Sequence, residues 1–253
     1  MFEKKNMKTK ITLVIVSALI LTYTSCDVIN EATSAVVTPP TGNQNNTPRL
    51  TNDEVVRGLK EALSVGIRNA VNTTGVPDGF LANPSIKIPF PQSAENMRTK
   101  ALEWGLDTQV NQIVETLNRA AEDASKEAGP IFIKAIESMS ITDGFNILNG
   151  GEGAATAYLK RTTTNELIQA FSPVVKESIE RVRLTEHWNP VMTRYNQAVR
   201  LTGGQQVDTD LNAYVTERAV DGLFQVVENE ENKIRKDPAA RVTDILAKVF
   251  GQQ

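Results

Sequence analysis

The stretch TDLNAYVTERAVDGLFQVVENEENKIR, residues 209–235, decides the fold. Turned at 100° per residue from Leu211, its apolar positions Tyr214, Val215, Ala219, Val220, Leu223, Phe224, Val226 and Val227 cover most of the circumference. A helix apolar nearly all round belongs in the middle of a core. The elements around it must then be able to enclose it, and those on either side also carry helical periodicity. The expectation is an all-α protein: one multi-helix bundle with kinked helices and a near-central buried helix at about 209–235.

Working outward, Asp237-Pro238 supplies an N-cap and a first-turn proline for a last helix. Val242, Ile245, Leu246, Val249 and Phe250 form its stripe and Gly251 its stop. At the other end, TNDE (51–54) has the Thr-x-x-Glu capping-box pattern. Val55, Val56, Leu59, Leu63, Ile67, Ala70 and Val71 follow at helical spacing, and the helix ends near Gly75. SIKIPFP alternates, but its prolines restrict it to at most a short extended edge segment at about 85–90. Asp107 is expected to cap a helix striped by Val110, Ile113, Val114, Leu117, Ala121, Ala124 and Ala128, which Gly129-Pro130 kinks or breaks. TDGFNIL reads as a short helix capped by Thr142, and NGGEG as a tight connection. AATAYLKR, a helix from about Asn165 to Arg183, and another from Pro190 to about Arg200 complete the set.

The first 50 residues are different in kind. Lys4, Lys5, Lys8 and Lys10 precede an uncharged run of 13 residues, Ile11 to Tyr23, too short to span a bilayer but laid out as a secretory signal. The single cysteine, Cys26, follows it. Thr-Ser-Cys resembles a bacterial lipoprotein signal, cleaved before a cysteine that is then lipidated, with Tyr23 where such boxes usually carry Leu. An ordinary cleaved signal with a leftover thiol is the other reading. Residues 1–25 are thus expected to be signal and 26–50 a lipidated cysteine with a tether rich in Thr, Asn and Pro. Residues 51–253 are then a single helical domain. The net charge of −3 becomes −6 from Cys26 onward, with signs well mixed, which offers nucleic acid no basic footprint.

GLKEAL (58–63), NRAAEDA (118–124), AIESMSITDGFNILNGGEGAATAYLKRTT (135–163) and EENKIRKDPAARVTDILAKVFG (230–251) resemble an uncharacterised bacterial family, domain of unknown function 4197. The resemblance implies a helical protein, secreted or lipid-anchored, and implies no activity.

Candidate chemistry is bounded by what is missing. One His and one acylated Cys make neither a Cys/His metal site nor a Cys-His dyad, and nothing calls for a cofactor. His187, beside Trp188, reads as a structural histidine. GGEGAAT (150–156) has glycine spacing before a helix, but a helix and not a strand precedes it, so it reads as a helix-to-helix turn. Asn118 could line a seam between helices, and Glu122 reads as a solvated or ion-paired surface acid. If Glu122 faced Asp143 or Glu152 across a cleft, with Tyr158 nearby, a hydrolase would be possible. Thr156, Tyr158, Arg161 and Thr163 form a polar set after the glycine turn. Glu231 and Arg235 are spaced for an i, i+4 pair that, with Arg241, either ties the last two helices together or binds an anion. The reading favoured is a lipid-anchored envelope module that binds an apolar ligand or an envelope protein, with hydrolysis as the alternative.

Overall fold

The computed structural model describes residues 51–181, 184–207 and 209–237, all in the unit Pro48–Gln253. Among them are eight α-helices: α1 (Asn52–Thr74), α2 (Glu95–Glu103), α3 (Asp107–Ser125), α4 (Ala128–Glu137), α5 (Ile141–Asn149), α6 (Ala154–Arg181), α7 (Leu184–Thr202) and α8 (Leu211–Lys236). A single 3-10 turn, Gln92–Ala94, precedes α2. The chain is all-α, as its periodicities require.

α8 is the central element. It is capped by the Asp210 carboxylate, which accepts from the Ala213 amide, and it packs against α6, α1 and α3. Its buried positions run around the helix from Val215, Thr216 and Ala219 to Val226, Val227 and Ile234. Phe224 meets Phe132 of α4 edge to face, with ring centroids 5.6 Å apart and planes at 74°. α3 also packs on α6 and α7, α4 bridges α1 and α6, and α2 lies against α7 and α3.

Local sequence explains most boundaries. Thr51 and Glu54 make the reciprocal capping box at the start of α1. The cap of α5 is Ser140, not Thr142: its hydroxyl accepts from the Asp143 amide while the Asp143 carboxylate accepts from Ser140. Asp107 is the first residue of α3 and not its cap, because Leu106 occupies that place. The break expected at Gly129-Pro130 falls before them, and Pro130 sits in the first turn of α4, where its missing N–H costs least.

Two breaks expected in the sequence do not occur. AATAYLKR and the helix expected from Asn165 are one element, α6, continuous through Pro173. The hydroxyls of Thr162, Thr163 and Thr164 donate back to the carbonyls of Tyr158, Leu159 and Lys160, so this polar run stays helical. α7 likewise begins before Pro190, since Leu184, Trp188, Val191 and Tyr195 form one buried stripe across it. The segment at 85–90 forms no strand. Residues 75–91 are an irregular strap whose side chains Phe80, Ile86, Ile88 and Phe90 enter the core. The expected last helix lies outside the described residues.

Gly222 is what lets the strap lie on α8: a Cβ there would stand 2.7 Å from the Phe80 ring and 3.2 Å from Ile86 Cβ. Gly66 on α1 has no such neighbour, its nearest contact being Ile234 at 3.6 Å. Gly66→Ala should therefore raise stability by about 0.5–1 kcal/mol, the ordinary helix gain. Gly222→Ala should lower it by about 1–3 kcal/mol through overpacking. Urea denaturation of the two variants checks the opposite signs.

Candidate functional site

The polar residues of NRAAEDA face inward and hold the strap. Asn118 is fully buried on α3; its amide oxygen accepts from the Ile88 N–H at 2.8 Å and its amide nitrogen donates to the Ile88 carbonyl at 2.8 Å and to the Val114 carbonyl. One side chain thus does for Ile88 what a neighbouring strand would do. Glu122, expected at the surface, is 3% exposed. Its Oε1 accepts from the Phe80 and Leu81 amides, each at 3.1 Å, and its Oε2 accepts from Arg119 at 2.9 Å. Arg119 also bonds Asp78, a residue held at a φ of 68°. The α3 stripe is wider than its apolar residues indicate because the strap offers unpaired backbone groups, and only polar side chains can satisfy them.

The second cluster is built on α8. Glu231 is 6% exposed; its two oxygens accept from the Ala155 amide at 3.0 Å, the Thr156 amide at 2.9 Å and the Thr156 hydroxyl at 2.8 Å. The first-turn donors of α6 are thereby satisfied by a carboxylate from another helix. Arg235 donates to Glu231 at 3.0 Å and to the Ile147 carbonyl at 2.8 Å, so it sits on the last carbonyls of α5. The α5–α6 turn between them needs glycines at 151 and 153, whose φ values are 77° and 73°. The pair expected at 231 and 235 forms, but it clamps α8 to this turn. Arg241 and Cys26 lie outside the described residues.

The remaining candidates are placed as follows. Asp143 is used by its own capping box; the Ser140 hydroxyl, then the Ser140 amide, and then the charge of Arg161 hold its carboxyl below the usual carboxylate range against a small effect of burial. Glu152 pairs with Lys236 at 2.8 Å on the surface. The Tyr158 hydroxyl donates to the Ala135 carbonyl, and burial followed by the Asp143 charge pushes its phenol up while Arg161, stacked on the ring at 5.4 Å, pulls it down. Thr163 is buried and bonds within its helix. The structure thus brings Asp143, Tyr158 and Arg161 near one another. Glu122 and Glu152 are bonded on other elements.

A concavity that no sequence pattern announces lies between α2 and α7, with a volume of about 450 Å³. Trp104, Tyr195, Ala198 and Val199 give it an apolar floor, and Asn96, Thr99, Lys100, Glu103 and Thr202 line the rest. Arg194 stacks on Trp104 at 4.7 Å and fixes the ring. The lining comes from two helices far apart in sequence, which is why spacing could not reveal it. Among the described residues no cluster of His, Cys, Asp and Glu could hold a metal ion.

Two predictions test the structural reading of the polar clusters. Glu231→Gln should cost about 3–5 kcal/mol, because it leaves Arg235 and the α6 amides buried without their anion. Adding Arg235→Met should cost less than the two single changes summed, as a double-mutant cycle in urea would measure. Asp123 accepts from Lys126 at 2.7 Å, Ser178 at 2.9 Å and Arg181 at 3.0 Å, tying α3 to the end of α6. Burial alone would raise its carboxyl, but the bonds from Lys126 and Ser178 and the charges of Lys126 and Arg181 outweigh it and hold it below the ordinary value of 3.8. Its stabilisation is therefore fully present above that value and disappears as pH falls through the folded-state value. Asp123→Asn should be less stable than the parent at neutral pH, with the gap closing below about pH 4 in acid titrations followed by circular dichroism.

No curated protein and no solved structure matches this chain. Residues 49–251 match the family described as protein of unknown function, DUF4197, so nearly all of the chain beyond its first 48 residues is covered, and the chain belongs to that family.

Proposed function

We propose that this protein is a cell-envelope lipoprotein, held to its membrane by a lipid on Cys26, whose helical domain binds a ligand and performs no catalysis. The observation that carries the binding reading is the α2–α7 groove, where Trp104, Tyr195, Ala198 and Val199 form an apolar floor inside a polar rim. The occupation of Glu122, Glu231 and Asp143 by backbone amides, arginine and a helix cap supports it further, since these acids already have partners within the fold. The tether reading is supported by the Lys-rich start, the 13-residue uncharged run and the cysteine after it. No helix among the described residues is long and apolar enough to cross a membrane, so the lipid would carry the attachment.

The test uses the full chain extracted from native membranes in mild detergent and examined by native mass spectrometry. A reproducible small-molecule adduct is expected on the parent and should fall about tenfold in Ala198→Trp, whose indole fills the groove. Equal adduct on both, or none on the parent, counts against the binding reading. Cys26→Ala should leave the membrane fraction; a variant that still sediments with membranes like the parent would remove the tether.

A further inference from the structure

We infer that residues 238–251, the stretch that follows α8, lie back along α5 and cover an apolar seat at the corner where α5 meets α1. This inference stands apart from the binding reading above. The first observation is the seat. Ile141, Gly144, Phe145 and Leu148 fall at i, i+3, i+4 and i+7 of α5 and so form one stripe, while Ile147, which enters the core, lies off it. Among the described residues, Phe145 and Val56 of α1 are not part of the contiguous core. Phe145 is half-buried, Ile141 is 48% exposed and Val56 lies against Gly144, so these residues make a separate apolar patch. Such a patch on a short helix is stabilised when a further apolar element covers it.

The second observation is where α8 ends. Arg235, in its last turn, donates to the carbonyls of Ile147 and Leu148, so the end of α8 stands at the Leu148 end of the stripe. Asp237 then leaves the helix in an extended conformation, φ −105° and ψ 111°, and Pro238 cannot continue it. The chain is thus delivered to the seat at the point from which a helix antiparallel to α5 runs along it.

The third is the match between seat and segment. Val242, Ile245, Leu246, Val249 and Phe250 form a stripe about 12 Å long on a helix, and Leu148 to Ile141 covers about 10 Å of α5. Antiparallel docking sets Val242 beside Leu148, Leu246 on the Phe145 ring and Phe250 toward Ile141. A second copy or another protein would have to supply such a stripe from solution. This one is joined to α8 and is present at about millimolar effective concentration, so chain connectivity selects the occupant.

The test follows amide hydrogen exchange by mass spectrometry in the full chain, for the parent and for Leu246→Asp, at low and at high protein concentration. Peptides from α5 should exchange at least about tenfold faster in Leu246→Asp, while those from α2 and α7, on the far side of the domain from the seat, keep the parent's rates. Unchanged α5 exchange, or an acceleration shared equally by α2 and α7, overturns the assignment. Protection of α5 in the parent that grows with protein concentration also overturns it, in favour of a second copy seated on the patch. A milder pair covers the case in which Leu246→Asp fails to fold. In urea, Phe145→Ala and Leu246→Ala combined should shift the unfolding equilibrium by less than the product of their separate factors, as side chains in contact do. Factors that simply multiply would remove the contact.

Discussion

The Glu231 carboxylate is the constraint on which the arrangement of the helices around α8 depends. It accepts the first-turn N–H groups of α6, and the Arg235 beside it donates to the last carbonyls of α5. An anion therefore meets the positive end of one helix and a cation the negative end of the next, both carried by the helix at the centre of the core. Leu59, Ala62 and Leu63 of α1 pack against the pair and keep water from it. Taking both charges out of water is costly, and the compensation is that both carboxylate oxygens are bonded. What this gains is register: α8 cannot slide by a turn without stranding a buried charge.

Glu122 repeats the same device with a different target. It sits on α3 one turn from Arg119, as Glu231 sits one turn from Arg235, and it accepts two backbone amides from the strap. Asn118 adds the pairing of Ile88. An irregular segment such as 75–91 can enter a core only if its backbone groups find partners, and here two side chains of one helix, Asn118 and Glu122, supply them. Of the acids that look most like catalytic candidates in the sequence, Glu122 is bonded to the strap and Asp143 to a helix cap, while Glu152 pairs with Lys236 at the surface. None of them lines the groove between α2 and α7.

The legible parts of the sequence were those in which a single segment carries the whole signal. The Thr51–Glu54 box, the all-round apolar character of α8, the glycine turn before α6 and the Glu231–Arg235 spacing each read correctly. Errors arose where a local rule met a tertiary reward. The threonine run 162–164 and Pro190 look like boundaries, but the threonine hydroxyls bond back to their own helix and the buried stripe Leu184, Trp188, Val191 offsets the hydrogen bond that Pro190 lacks. Glu122 lies well off the apolar stripe of α3, and an apolar wheel cannot anticipate a face covered by a loop that needs acceptors.

By itself the sequence determined the fold class, the central helix and the capping box that starts α1, because periodicity and turn chemistry act within a few residues along the chain. Only the tertiary structure decided what the polar residues do and where a ligand could sit. A carboxylate on a helix is the same in sequence whether it meets water, an arginine or the backbone of a strap. The groove floor joins Trp104 to Tyr195, residues that packing of α2 on α7 alone brings together.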